Sequence, residues 1–416
     1  MNDSFASRRL VDIGFAGGLI VVLGVVAGVD RFIIPAPERT GSGSRGLLDS
    51  IYELRVAENK EELVLQFGGT KESEAAVAGA LDWLARHQAK DGSWRSRNLA
   101  RTPPGVCESD PHCQGGGGDF AFAQTGLAIL ALQAAGHFDF EKAQYSENVR
   151  RGLDWLVDQQ KKDGGLYGDS GRTYMYEHGI ATFALAEACA IARAFKREPN
   201  KRYLDAAERA VEFIESQQHD DGGWRYTGNK RARSDTSVSG WSVLALKSAR
   251  EADIPIDKAV IAKVREYFKS CELGQNGRTG YQGPGVHTDA TTGVGMLVHQ
   301  FLLDTPDSQL VRDAAPYLAD LAERTWGGDR TRHRDYYLWY NCTLAMHTAG
   351  GRNWERWNNV VRDLVISLQE PDEAGCARGS WPPNSKWGGE GGRIYTTALA
   401  ALTLEVYYRF AKVEKH

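Results

Sequence analysis

From Ser73 onward the chain alternates two kinds of helical pattern. In the first, apolar residues recur at three- and four-residue spacing with charges between them: SEAAVAGALDWLARHQ, NVRRGLDWLVDQQ, DAAERAVEFIESQQ, KAVIAKVREYFKSCE, VRDAAPYLADLAERTW and WNNVVRDLVISLQ. Such stretches make helices with one face in a core and the other in water. In the second kind, AQTGLAILALQAAG, YEHGIATFALAEACA, SVSGWSVLALKSA, ATTGVGMLVHQFL, YNCTLAMHTAG and YTTALAALTLEVYY, the apolar residues run nearly all round, so these helices must lie between layers. Aligned on their small-residue step, they place Thr125, His178, Ser239, Thr292, Asn341 and Thr397 at one equivalent position. The intervals are 49 to 61 residues, the period of a helix pair with its connection. Six of each kind predict an all-α fold, an α6/α6 toroid in which an outer ring wraps a closed inner ring.

A short motif joins outer to inner helices: QAKDGSW from Gln88, QKKDGGL from Gln160 and QHDDGGW from Gln218. Gln is long enough to reach carbonyls left unpaired at helix ends, Asp-Gly makes a tight turn, and Trp covers the junction between neighbouring pairs. Only Asp91, Asp163 and Asp221 are ionisable within it, and the turn accounts for them, so the motif reads as architecture.

Before Ser73 the pattern changes. Residues 13–29 carry no charge and are about long enough to cross a bilayer as a helix. Arg8 and Arg9 precede them, which orients the rest of the chain away from the cytoplasm. Residues 1–30 are therefore expected to form a transmembrane signal anchor, with a cleaved signal peptide as the alternative. Residues 31–71 form a Pro/Gly/Ser linker with a short amphipathic helix of unassigned docking, and residues 72–416 form the toroid, membrane-anchored on the non-cytoplasmic side. The formal charge of −4 gives no footprint for nucleic acid. Cys107 and Cys113 are close enough for a disulfide in an oxidising compartment. With His112 they offer metal-ligand types at a spacing that matches no strong zinc signature, and Cys189 and Cys342 read as buried small hydrophobes.

The segments GALDWLARHQAKDGSW and RAVEFIESQQHDDGGW, the variant RGLDWLVDQQKKDGGL and the looser LVISLQEPDEAGCARGSW resemble the QW motif of the squalene-hopene and oxidosqualene cyclases, whose fold is shared by protein prenyltransferase β-subunits. YEHGIATFALAEA, SDTSVSGWSVLALKSA and GGRNWERWNN resemble the bacterial prenyltransferase/squalene-oxidase repeat proteins. The resemblance runs from about Glu72 to Phe410 and implies binding, with or without transformation, of an elongated apolar ligand such as an isoprenoid in a central cavity. A non-enzymatic envelope scaffold, or a toroid that binds a peptide or protein, is the alternative. The cyclases use D-x-D-D-T to protonate a double bond, and the aligned stretch here is Ala232, Arg233, Ser234, Asp235 and Thr236, with Ser where the proton donor should stand. The D-x-C zinc pair of the prenyltransferases is missing as well, so catalysis stays open, and neither a metal site nor a cofactor is assigned, although His287, Asp289, His333, Asp335, Cys342 and His178 include zinc-ligand types.

In a toroid the heads of the inner helices converge on the axis, and convergent aromatic and ionisable groups there define the candidate site. His178, Asp235, Asp289 and Tyr340 are the catalytic candidates. Asp119, Phe122, Tyr176, Glu177, Trp241, His287, Trp339 and Tyr395 are the ligand-binding ones, with Tyr337 and Arg393 nearby. Asp119, Asp235, Asp289 and Asp335 also stand where Asp caps a helix. His178 replaces a small polar residue at the equivalent position, so its imidazole is either a hydrogen-bonded core group or a ligand contact.

Overall fold

A computed structural model describes residues 52–96, 113, 117–168, 171, 173–328 and 333–409. The chain divides into two units, Met1–Ser44 and Arg45–His416, and all the described residues belong to the second. The apolar stretch at residues 13–29, Cys107 and His112 lie outside the described residues. Among the described residues no helix is long and apolar enough to cross a membrane.

The described chain is helical. A 3-10 turn at Glu53–Val56 leads to α1 (Lys60–Gln66) and α2 (Lys71–Arg86). There follow α3 (Ala121–Ala134), α4 (Ser146–Asp158), α5 (Tyr174–Ala194), α6 (Lys201–Ser216), α7 (Thr236–Glu251), α8 (Lys258–Cys271) and α9 (Asp289–Phe301). Helices α10 (Gln309–Trp326), α11 (Tyr336–Ala349), α12 (Gly351–Ser367), α13 (Gly388–Leu404) and α14 (Val406–Arg409) complete the described chain. Two isolated bridges, Glu272 to Thr279 and Gly280 to His287, are the β pairing among the described residues.

The odd-numbered helices from α3 to α13 are the all-apolar segments. Each packs on the next and α13 packs on α3, which closes an inner ring, while α2, α4, α6, α8, α10 and α12 lie outside it. The small-residue step is what lets inner helices approach. A Cβ at Gly126 would stand 3.0 Å from the Ile180 carbonyl oxygen, and one at Gly293 would stand 2.7 Å from Cys342 Sγ.

The Gln-Asp-Gly-Trp motif holds the outer ring in register by one repeated contact set. Gln88 Nε2 donates to the Gly92 carbonyl of its own turn (2.8 Å) and to Asn148 in the first turn of α4 (2.9 Å). Gln160 does the same to Gly164 and to Ala206 of α6. Gln218 donates to Gly222 and to Val260 of α8. The looser fourth copy closes the circle, since Gln369 Nε2 reaches Gly379 (2.8 Å) and Ala76 of α2 (2.7 Å). Gly92, Gly164 and Gly222 take positive φ, and a Cβ on any of them would stand 2.2–2.3 Å from a carbonyl oxygen of the next outer helix. The indoles of Trp94, Trp224 and Trp381 donate to carbonyls of Leu84, Ile214 and Val365, each in the outer helix just left.

The amphipathic element that the sequence left without a docking site packs against the C-terminal ends of the inner helices. Tyr52, Leu54, Arg55 and Val64 are buried. Arg55 Nη1 donates to Gln133 O of α3 (3.3 Å) and pairs with Glu187 of α5 (3.0 Å), while Arg409 of α14 meets Glu187 from the other side (3.1 Å). Burial opposes ionisation of Glu187, but Arg409, Arg55 and Lys247 together hold its carboxyl below the ordinary value.

Candidate functional site

The opposite end of the inner ring, where the inner helices begin, carries the tyrosines. Asp235 caps α7: its Oδ1 accepts from Val238 N–H (2.9 Å) and from the Ser237 hydroxyl (2.7 Å). Because Ser237 spends its hydrogen on Asp235, the Tyr176 hydroxyl donates to Ser237 Oγ (2.6 Å). The Tyr337 hydroxyl donates to Ser237 O (3.3 Å), and Tyr226 and Tyr281 share a hydrogen bond of 2.7 Å. Asp235 Oδ2 is buried with no hydrogen-bond partner, and its nearest cation is Arg225 Nε at 3.9 Å. Burial raises the Asp235 carboxyl above the usual range, against the lowering pull of Val238 N–H, Ser237, Arg225 and the neighbouring Tyr281 hydroxyl. Burial also pushes the Tyr337 phenol far up, and neighbouring Tyr176, Tyr395, Asp235 and Asp335 add to it. Tyr176, Tyr226, Tyr281 and Tyr395 are only part-buried and form a rim at this end of the ring.

Below this rim the axis is filled. Trp241 stacks on Tyr340 with ring centroids 5.8 Å apart and 12° between planes, and Tyr337 leans on Trp241 at 6.1 Å. Two clefts, of about 460 and 300 Å³, open on the outer surface beside Tyr317 and Asp320 and beside Asp221 and Lys263.

The remaining candidates go elsewhere. His178 is fully buried, and its Nδ1 accepts from Leu166 N–H (3.0 Å), so Nε2 carries the hydrogen and donates to Ala210 O of α6 (3.0 Å). Burial presses its pKa down to about 3. The same acceptor role falls to Thr125, Ser239 and Thr397, which receive the N–H of Trp94, Trp224 and Trp381. The equivalent position of the inner helices is thus a receptor for the motif. Glu177 ties two helix heads together, taking Phe122 N–H (3.1 Å) and Gly168 N–H (3.4 Å). Phe122 packs on Trp155 of α4 (4.8 Å). Asp289 accepts from Tyr317 of α10, and His287 faces Arg278 (2.9 Å), both toward the outer ring. Trp339 packs on Trp326 of α10 (5.8 Å). Asp119 is exposed ahead of α3, and Arg393 bonds Ser380 (2.9 Å). Tyr226, Tyr281 and Arg225 were not among the sequence candidates because they sit in connections, where no helical periodicity points at the axis.

A closed inner ring wrapped by outer helices, clamped by Gln-Asp-Gly-Trp turns and carrying tyrosines at the end where its inner helices begin, defines a terpenoid-cyclase-type toroid. The chain belongs to the squalene-hopene cyclase C-terminal domain family, whose model matches residues 63–164 and 137–286. A probable squalene–hopene cyclase of Sinorhizobium fredii is 27% identical over 228 residues, which cover 50% of this chain and 31% of that protein. A lanosterol synthase of Saccharomyces cerevisiae is 27% identical over 161 residues, 38% of this chain and 18% of that one. The matches thus span a third or less of these relatives. In fold, an alpha-1,6-mannanase from Salegentibacter superposes with a TM-score of 0.55 at 11% identity, over 81% of this chain and 99% of that one.

Proposed function

We propose that the toroid binds an elongated apolar ligand of isoprenoid type at the tyrosine-rimmed mouth, with Asp235 as the polar anchor beneath it. The observation that carries this reading is the buried Asp235 Oδ2, left without a hydrogen bond among Tyr176, Tyr226, Tyr281 and Tyr337. Ring faces suit a hydrocarbon chain and any cationic character on it, and a carboxyl with raised proton affinity donates a hydrogen bond to a ligand oxygen when protonated. Family membership and the cyclases among the relatives support the ligand class.

Protonation of an isolated double bond asks for more. The donor has to be a carboxylic acid kept protonated by a neighbouring carboxylate, and where it should stand Ser234 donates from its hydroxyl and its N–H to Asp221 instead. The site is therefore read as a binding site rather than as a protonating cyclase centre. A second reading, a scaffold without a small-molecule ligand, is favoured by the filled axis, in which Trp241 and Tyr340 occupy the centre.

The test is lipid extraction from the purified full-length chain with mass spectrometry, followed by incubation with squalene and with prenyl diphosphates. Retained isoprenoid that falls at least about tenfold in Asp235→Asn, which keeps the helix cap, supports the proposal. Neither retained lipid nor any binding or turnover would leave the scaffold reading standing.

A further inference from the structure

Away from the mouth, on the seam where the last repeat meets the first, three metal-ligating side chains converge. His87 follows the end of α2, Cys113 lies in the connection to α3, and Cys376 sits in the 3-10 segment Asp372–Ala377 after α12. Their ligand atoms all lie within 4.8 Å of one another. His87 Nε2 stands 3.2 Å from Cys376 Sγ and 3.5 Å from Cys113 Sγ. Bond lengths of about 2.3 Å to sulfur and about 2.0–2.1 Å to nitrogen put tetrahedral ligand atoms about 3.6–3.8 Å apart, so the three are already near the spacing one zinc ion imposes.

The imidazole is prepared for the role. Its Nδ1 lies 2.7 Å from the Trp83 carbonyl, which can only accept, so Nδ1 carries the hydrogen and the Nε2 lone pair points at both sulfurs. The ring also stacks on Trp83 at 4.2 Å and 22°, which fixes its plane. A backbone carbonyl that orients a ligating His in this way is the usual outer partner of a metal site. His87 and Cys113 are buried and Cys376 is part-buried, and two sulfurs with one imidazole select a borderline-soft ion.

We propose that His87, Cys113 and Cys376 bind a zinc ion that fastens the ring closed. Binding displaces a proton from each thiol to solvent and forms two Zn–S bonds and one Zn–N bond; no oxidant or reductant enters. Of the four tetrahedral positions these residues fill three, and among the described residues no further Cys, His, Asp or Glu joins them. The ion joins residues 289 apart in sequence, beside the closing clamp in which Gln369 reaches Ala76. A tie across so long a loop removes much of the freedom of the unfolded chain. The site shares no residue with the tyrosine-rimmed mouth, so it stands whether or not that mouth binds lipid.

The test measures metal on the full-length chain purified without chelators, by mass spectrometry of the metal and by the absorption of the cobalt-substituted protein. About one zinc per chain is expected, with thiolate-to-cobalt charge-transfer bands. Both should be lost at least about tenfold in Cys113→Ser/Cys376→Ser and kept in Cys189→Ser, whose thiol lies in α5. Should the double variant fail to fold, stripping zinc from the unaltered chain provides the second readout, with an expected fall of at least about 5 °C in the unfolding midpoint that zinc restores. A chain without zinc, a disulfide at Cys113 or Cys376, metal that persists in a folded double variant, or a cobalt spectrum without thiolate bands overturns the proposal.

Discussion

Leu166 stands where three other motif copies carry Trp94, Trp224 and Trp381, and on the inner helix facing it His178 stands where the others carry Thr or Ser. The two departures belong together. The imidazole takes the Leu166 N–H, as the hydroxyls do, and its second nitrogen donates to Ala210 of an outer helix, much as the missing indole would have bonded a carbonyl. His178→Thr should therefore cost about 2–4 kcal/mol, from a void beside Leu166 and a carbonyl left unpaired. Leu166→Trp/His178→Thr should recover a coupling of at least about 1 kcal/mol, read by urea unfolding. The pH dependence has a definite sign. His178 is held neutral in the folded chain, with its pKa pressed to about 3, while the unfolded chain takes up a proton below about 6.5. Stability is lost as pH falls through that window, by up to about 1.4 kcal/mol per pH unit from this residue. The double variant, with no imidazole there, should lose that contribution to the slope.

At the scale of elements, the Gln clamps make each outer helix dependent on the turn before it. Gln88→Ala and Gln369→Ala each strand two carbonyls and should each cost about 1–3 kcal/mol by chemical denaturation. The helices themselves were legible from periodicity, since an apolar stripe and an all-apolar run differ in sequence before any packing is known. So was the architectural reading of the motif, whose Gln, Asp-Gly and Trp act as their chemistry suggests. The placement of the candidate site residues was legible in part. Being at the head of an inner helix fixes depth along the axis but not which way a side chain turns, so Tyr176, Asp235, Trp241 and Tyr340 gather at the axis while Asp289, His287 and Trp339 face outward. A turn of about 100° per residue separates the two outcomes, and alignment of the repeats does not resolve it. Tyr226 and Tyr281 come from connections, and His87 and Cys376 from the first and last motif copies, where only closure of the ring makes them neighbours.

For the whole molecule, the first and last described helical segments meet at one place. Arg55 enters before α1, Arg409 arrives from α14, and both pair with Glu187, with all three side chains buried. Removing the anion leaves two cations facing each other out of water, so Glu187→Gln should lower stability by about 3–5 kcal/mol. Replacing the three together by Arg55→Met/Glu187→Leu/Arg409→Met should regain most of that loss, and denaturant midpoints for both variants decide the matter.

That buried trio has a bearing on traffic. With the buried Arg55, Glu187 and Arg409 at one end of the inner ring and Trp241 stacked on Tyr340 within it, these side chains stand in the way of a passage from end to end. On the proposed function, a ligand that enters between the tyrosines would have to leave by the same end.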